Sequence, residues 1–196
     1  MGDRRYHHGD LAAALLARAE QTLHESGIQS LSLRGLARDV GVSPAAPNRH
    51  YKSKQALLNA LAVAGFQRLA QAISTSQRGA GDGFAERLDA AARAYVDFAV
   101  HNAALLDLMF STKHDTSASA DLGPGVHQWS DQLLKLIADG QRRGEVRPGP
   151  LERMALPVVA ALHGYAGLVV SRALPQELAE QGLDDLIDSL LRGCAP

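Results

Sequence analysis

Between Arg34 and Lys54 the sequence sets four cations, Arg34, Arg49, Lys52 and Lys54, and the imidazole of His50 around Ser43, Pro44, Ala45, Ala46 and Asn48. Cations and hydroxyls suit phosphate oxygens, whereas short side chains and amides suit close approach to base edges. That mixture is the chemistry of nucleic-acid contact. Ala45 and Ala46 leave room for base edges or thymine methyls, and Arg34, Ser43, His50, Lys52 and Lys54 suit phosphates. Asn48 can pair with an adenine edge or touch a phosphate or water instead. Arg4 and Arg5 can form a minor-groove arm or remain solvated charge.

The charge distribution points the same way. Residues 1–56 carry eight Lys and Arg against five Asp and Glu, a net +3, so the rest carries −4 of the total −1. A polyanion partner is expected for the first part alone. Enzymatic chemistry finds no constellation: His101, His114, His127 and His163 are scattered, and no nucleophile stands with a base. No catalytic residue, cofactor or metal site is expected. Cys194, the single cysteine, cannot form an internal disulfide and is read as an inert thiol.

Helical periodicity dominates the elements that must position these residues, so the fold class is all-α. A first helix is expected from Leu11 to Ser26 with Asp10 as its cap. Ser32 caps a second, Leu33 to Val40, with Leu33, Leu36, Ala37 and Val40 on one face. Ser43 caps a third, Pro44 to Tyr51, and Ser53 a long fourth, about 54–77. Further helices are expected over 84–101, 102–109, 126–143, 151–173 and 183–192, with a loop over 111–124. The segment 154–170 is apolar but short for a membrane span and holds Pro157 and His163. No apolar stretch after MGDRRYHHGD suggests a signal peptide, so the expectation is a cytoplasmic chain without a membrane partner.

Ser32–Lys54 therefore reads as a helix, a glycine-containing turn and a second helix, the pattern of a helix-turn-helix, although spacing alone also fits an ordinary helical hairpin. Farther on, Tyr95, Phe98, Met109, Phe110, Trp129 and His163 can line a cavity for a small, mostly apolar effector, or pack as core. Leu162, Tyr165 and Val169, with Leu186, Ile187 and Leu190, can join two chains in a four-helix interface, or serve an internal core.

RRYHHGDL at 4–11, LSLRGLARDVGVS at 31–43 and RHYKSKQALL at 49–58 resemble the tetracycline-repressor (TetR) family of regulators. LLDLMF at 105–110 and the HG pair at 163–164 resemble the ligand-binding half of one branch. The resemblance implies an N-terminal three-helix DNA-binding domain, here 1–56, and a larger helical effector-binding and dimerisation domain, 57–196, with the fourth helix connecting them. It implies a ligand-responsive regulator, in the repressor sense, that binds double-stranded DNA as a homodimer through its last two helices. Two departures stand out: Pro47-Asn48 replaces the usual Leu-Tyr, and Val159 stands where the branch has a tryptophan. Pro47, lacking an N–H, can shorten the recognition helix. The rivals are an architectural DNA-binding protein without effector, and a helical ligand-binding protein or enzyme whose helix-turn-helix is incidental.

Overall fold

The computed structural model describes residues 8–114 and 127–196. Among the described residues there are eight α-helices, two 3-10 turns and no strand. They form two compact units: residues 8–65 with 104–114, and Phe66–Ala103 with His127–Pro196. Arg4 and Arg5 lie outside the described residues, as does the expected loop from residue 115 on.

The first unit begins with α1 (His8–Ser26), so Asp10 falls inside its first turn rather than at the cap. Leu11, Leu15, Ala19 and Leu23, spaced four apart, form one buried stripe. The loop residue Leu31 closes over the same core. Ser32 caps α2 (Leu33–Asp39), its Oγ accepting from Gly35 N at 3.1 Å. Leu36 and Ala37 are buried. Gly41 turns the chain at φ 75°.

The expected third helix over 44–51 is not an α-helix. Residues 44–45 form a turn and Ala46–Arg49 a 3-10 turn. In an α-helix the Ser43 carbonyl would accept from residue 47, but Pro47 has no N–H. The carbonyl instead accepts from Ala46 N at 2.9 Å, the tighter 3-10 spacing. Ser43 makes no side-chain cap here; Ala45 occupies the cap position.

Ser53 does cap the next helix, α3 (Lys54–Arg78), through Ala56 N at 3.1 Å. This helix runs through both units, which divide after Gly65. In the first unit Leu57, Leu58, Leu61 and Ala62 bury against the small core. Helix α5 (Ala103–His114) joins them and outruns its expected end at Met109. Thr112 is buried and Ser111 Oγ donates back to the Leu108 carbonyl, so the polar residues extend the helix instead of ending it.

The second unit holds the rest of α3, with α4 (Phe84–His101), α6 (Gln128–Arg143), α7 (Leu151–Val170) and α8 (Gln176–Cys194). Helix α4 packs on α6, α7 and α8, and α7 on α4, α6 and α8. Gly83 offers no side-chain cap to α4, and the carboxylate of Glu145 serves instead, accepting from Phe84 N at 2.7 Å. Helix α7 stops before its expected end at 173 because Arg172 adopts φ 55°. Helix α8 starts seven residues before its expected start at 183. Pro175 supplies the cap position, and the Ala179 carbonyl accepts from Tyr165 Oη at 2.9 Å, tying this first turn to α7.

Gly140 on α6 marks the closest packing in this unit. A Cβ there would lie 2.6 Å from Val146 Cγ2 and 3.0 Å from Phe84 Cδ2, both on buried side chains. Overpacking of this kind costs about 1–3 kcal/mol, against about 1 kcal/mol gained in helix propensity. Gly140→Ala is therefore expected to be neutral to destabilising by about 2 kcal/mol, and Gly140→Val more so. Urea unfolding of the two variants checks this, and a Gly140→Val protein as stable as wild type would refute the packing argument.

Candidate nucleic-acid interface and ligand cavity

In the first unit the exposed surface of the turn after α2 consists of Ser43, Pro44, Ala45, Asn48 and Arg49, followed by Lys52. Ala46 and His50 are half-buried, and Pro47 is buried. The Pro47 carbonyl accepts from both His50 N and Tyr51 N at 2.9 Å. Tyr51 is half-buried, its hydroxyl donating to the Ala12 carbonyl at 3.2 Å and its phenol pushed up by burial. It therefore anchors the turn to α1, as its reading as a packing residue expects. His50 Nε2 is buried without a hydrogen-bond partner.

The cations of this unit divide into two sets. Arg18 pairs with Asp39 at 3.0 Å and Glu25 at 3.5 Å, and Arg38 lies 3.7 Å from Asp39. Lys54 Nζ donates to the Ile28 carbonyl at 2.8 Å, a structural bond that its sequence reading as a phosphate ligand missed. Arg34, Arg49 and Lys52 are exposed and make no hydrogen bond or ion pair among the described residues. An uncompensated cation on α2, one in the turn and one just after it form a surface suited to a polyanion.

In the second unit a cavity of about 30 Å³ is lined by Ile73, Gln77, Ala91, Tyr95, Trp129, Leu133, Val159 and Leu162. Its wall carries no ionisable group except the Tyr95 phenol. Tyr95 and Trp129 meet there with ring centroids 6.0 Å apart at 39°. Burial pushes the Tyr95 phenol well up, so it stays protonated and is the donor to His163 Nδ1 at 2.9 Å. A neutral His163 then carries its proton on Nε2.

Of the six side chains read as cavity candidates, the structure brings only Tyr95 and Trp129 to this wall. His163 stands behind Tyr95. Phe98 faces a separate, open groove of about 590 Å³, where the Arg68 guanidinium sits 6.0 Å from its ring centroid. Met109 and Phe110 belong to the first unit, where Met109 is fully buried with its Sδ against Gly65. Helix α5 carries them there, a tertiary choice that local periodicity does not express.

The residues read as a subunit interface also need correction. Leu162, Tyr165, Ile187 and Leu190 are buried within the chain itself, and Val169 and Leu186 are half-buried. The exposed stripe of α7 is the opposite one: Leu156, Ala160, Gly164, Gly167 and Leu168, with Leu156 68% exposed. Large apolar residues went inward and small ones outward, as core packing requires of two apolar faces on one helix. Exposed Val170 and Leu178 extend the patch. Two helices, α3 and α7, are long and apolar enough to cross a membrane by length and composition alone. Cys194 is buried, and burial pushes its thiol up.

The chain matches two family profiles. Residues 15–61 match "Bacterial regulatory proteins, tetR family", and residues 88–193, more than half the chain, match "Tetracyclin repressor-like, C-terminal domain". Among solved structures, a protein with unknown function from Rhodococcus sp. RHA1 is 39% identical, with TM-score 0.92, over 99% of this chain and 100% of that one. A bacterial regulatory protein in the tetR family from Rhodococcus RHA1 is 22% identical, with TM-score 0.73, over 95% and 98%. The fatty acid degradation regulator FadR from Bacillus halodurans is 15% identical, with TM-score 0.76, over 93% and 95%. These last two show the shared fold alone. The comparison with curated proteins finds no match.

Proposed function

The chain belongs to the tetR family of bacterial regulatory proteins, helix-turn-helix transcription regulators rather than enzymes, and on that premise we propose a cytoplasmic, ligand-responsive repressor that binds a near-palindromic operator as a homodimer. The observation that carries this reading is the trio of unpartnered cations, Arg34, Arg49 and Lys52, around an exposed turn of small and amide side chains. Residues 1–56 form the DNA-binding domain in this proposal. Ser43, Pro44, Ala45, Ala46, Asn48 and Arg49 enter the major groove. Arg34, His50, Lys52 and the two remaining donors of Lys54 hold phosphates, and Arg4 and Arg5 form the minor-groove arm.

Residues 57–196 form the effector-binding and dimerisation domain. The exposed apolar stripe of α7 is the surface a second copy covers, because Ala160, Gly164 and Gly167 let another helix approach closely. The outer face of α8 contributes less, with Asp185 and Asp188 exposed there. The effector is a small, uncharged, largely apolar molecule received beside Tyr95 and Trp129, with α3, the helix common to both units, carrying the coupling. A ligand shifts the equilibrium only by its difference in affinity between the two states, typically 1–3 kcal/mol. The placement in the branch with an HG pair rests on His163-Gly164 alone.

One observation favours a second reading, an architectural DNA-binding protein without effector: a cavity of about 30 Å³ holds no more than a water or two. Recovery and sequencing of genomic fragments retained by the purified protein, with and without small-molecule libraries, separates the two. The first reading expects enriched near-palindromes released by some compound; no enriched sequence at low salt would refute DNA recognition altogether. Lys52→Ala should weaken every sequence alike and reduce the slope of log K against log salt by about 0.9, the loss of one phosphate contact. A sequence-dependent loss would move Lys52 from the phosphates to the bases.

A further inference from the structure

The DNA-binding reading can be taken one step further: resting on it, we propose that Arg49 reads a guanine in each half-site, in the base pair next to an adenine read by Asn48. The inference starts from the backbone. In a 3-10 turn side chains three apart eclipse one another, so Ala45 lies under Asn48 and Ala46 under Arg49. Pro47 and His50 share the third edge, which is the one turned inward. Each long polar side chain thus rises over an alanine, and the methyl groups leave space for a base edge to come up against the turn.

Arg49 is exposed and free among the described residues, whereas Arg18, Arg38 and Lys54 are each held by a carboxylate or a carbonyl. Its rigid fork matches the O6 and N7 acceptors of guanine, the commonest specific contact of a major groove. Phosphate contact does not need Arg49, because Arg34 on α2 and Lys52 beyond the turn supply cations on either side of it. The turn itself is held firmly: two N–H groups donate to the Pro47 carbonyl, and Tyr51 Oη donates to the Ala12 carbonyl. A base-reading pair needs such a support, since a loosely held fork does not discriminate. Consecutive Cα atoms stand about 3.8 Å apart and bases on one strand about 3.4 Å, so Asn48 and Arg49 fall on neighbouring base pairs.

The test is selection from random-sequence duplex DNA with the full-length chain, in wild-type, Asn48→Ala, Arg49→Ala and Arg49→Lys forms. Wild type should enrich sites with a guanine beside an adenine in each half. Arg49→Ala should lose the guanine preference and keep the rest of the site, binding the wild-type site roughly 5- to 150-fold more weakly. Asn48→Ala should lose preference at the neighbouring position only. Placing 7-deazaguanine, which lacks the N7 acceptor, at the selected position should weaken wild type and leave Arg49→Ala unaffected. An Arg49→Ala protein that enriches the unchanged consensus overturns the proposal while leaving DNA binding intact, and so does a wild type indifferent to 7-deazaguanine. A wild type that enriches no sequence overturns the DNA-binding reading and this proposal with it.

Discussion

Leu156→Arg is expected to turn the dimer into a monomer without unfolding the chain, and to remove operator binding with it. Leu156 is the most exposed large apolar side chain among the described residues, and it centres the outer stripe of α7. In a two-fold interface the same residue occurs twice, so the loss counts twice. Uncovering one leucine costs roughly 1.5–3 kcal/mol, which makes about 3–6 kcal/mol per dimer, or about 10²- to 10⁴-fold in its Kd. An arginine forced into that contact adds the cost of a desolvated, unpaired charge. Sedimentation equilibrium read against far-UV circular dichroism distinguishes dissociation from unfolding. The comparison variant is Leu162→Ala, whose side chain is buried in the chain's own core. It should lower stability by about 2–5 kcal/mol and leave dimerisation less affected. A Leu156→Arg protein that remains a dimer with full DNA affinity would refute α7 as the subunit interface.

That pair of variants also shows where the sequence is legible and where it is not. Ser32, Leu36 and Ala37 announce α2 because a cap and a helical stripe are local chemistry, contained in a few consecutive residues. The 3-10 turn over Ala46–Arg49 follows equally locally from Pro47, whose missing N–H forbids one bond. Helix α7 is different. Both of its faces are apolar or small, so periodicity identifies a helix but cannot say which face meets the chain's own core. The choice depends on α4, α6 and α8, which fill their side with Leu162, Tyr165 and Ala166 and leave Leu156 outside. The same applies to Met109 and Trp129. Both are apolar and buried, yet α5 carries Met109 into one unit and α6 carries Trp129 into the other. Burial is readable from residue type, whereas the partner of a buried residue is a property of the assembled fold. The Glu145 cap on α4 was invisible for that reason, lying 61 residues from the N–H it receives.

The cavity beside Trp129 yields the other large effect. Trp129 is 5% exposed and forms part of a wall around only about 30 Å³ of space. Trp129→Ala removes an indole from that wall, and such truncations cost about 3–5 kcal/mol because the surroundings collapse only in part. The space left has an apolar lining from Ile73, Leu133, Val159 and Leu162, so it should stay dry and accept a ligand of matching shape. Added indole is therefore expected to restore stability to the variant, by about 2.7 kcal/mol when its concentration reaches 100 times its Kd. It should do nothing for wild type, whose cavity is too small to admit it. Thermal unfolding with and without indole makes the measurement, and Trp129→Phe, which keeps most of the wall, should respond weakly. No rescue, or a loss of stability below about 1 kcal/mol, would mean that the wall closes up and that the space beside Tyr95 is no receptor. If rescue is seen, the decisive quantity is operator affinity in the same solutions. Indole that stabilises Trp129→Ala and also weakens its grip on DNA would make this cavity the effector site, because a ligand changes DNA affinity only if it binds the two states unequally. Indole that stabilises the variant while DNA affinity stays constant would leave the cavity a packing feature and favour the architectural reading.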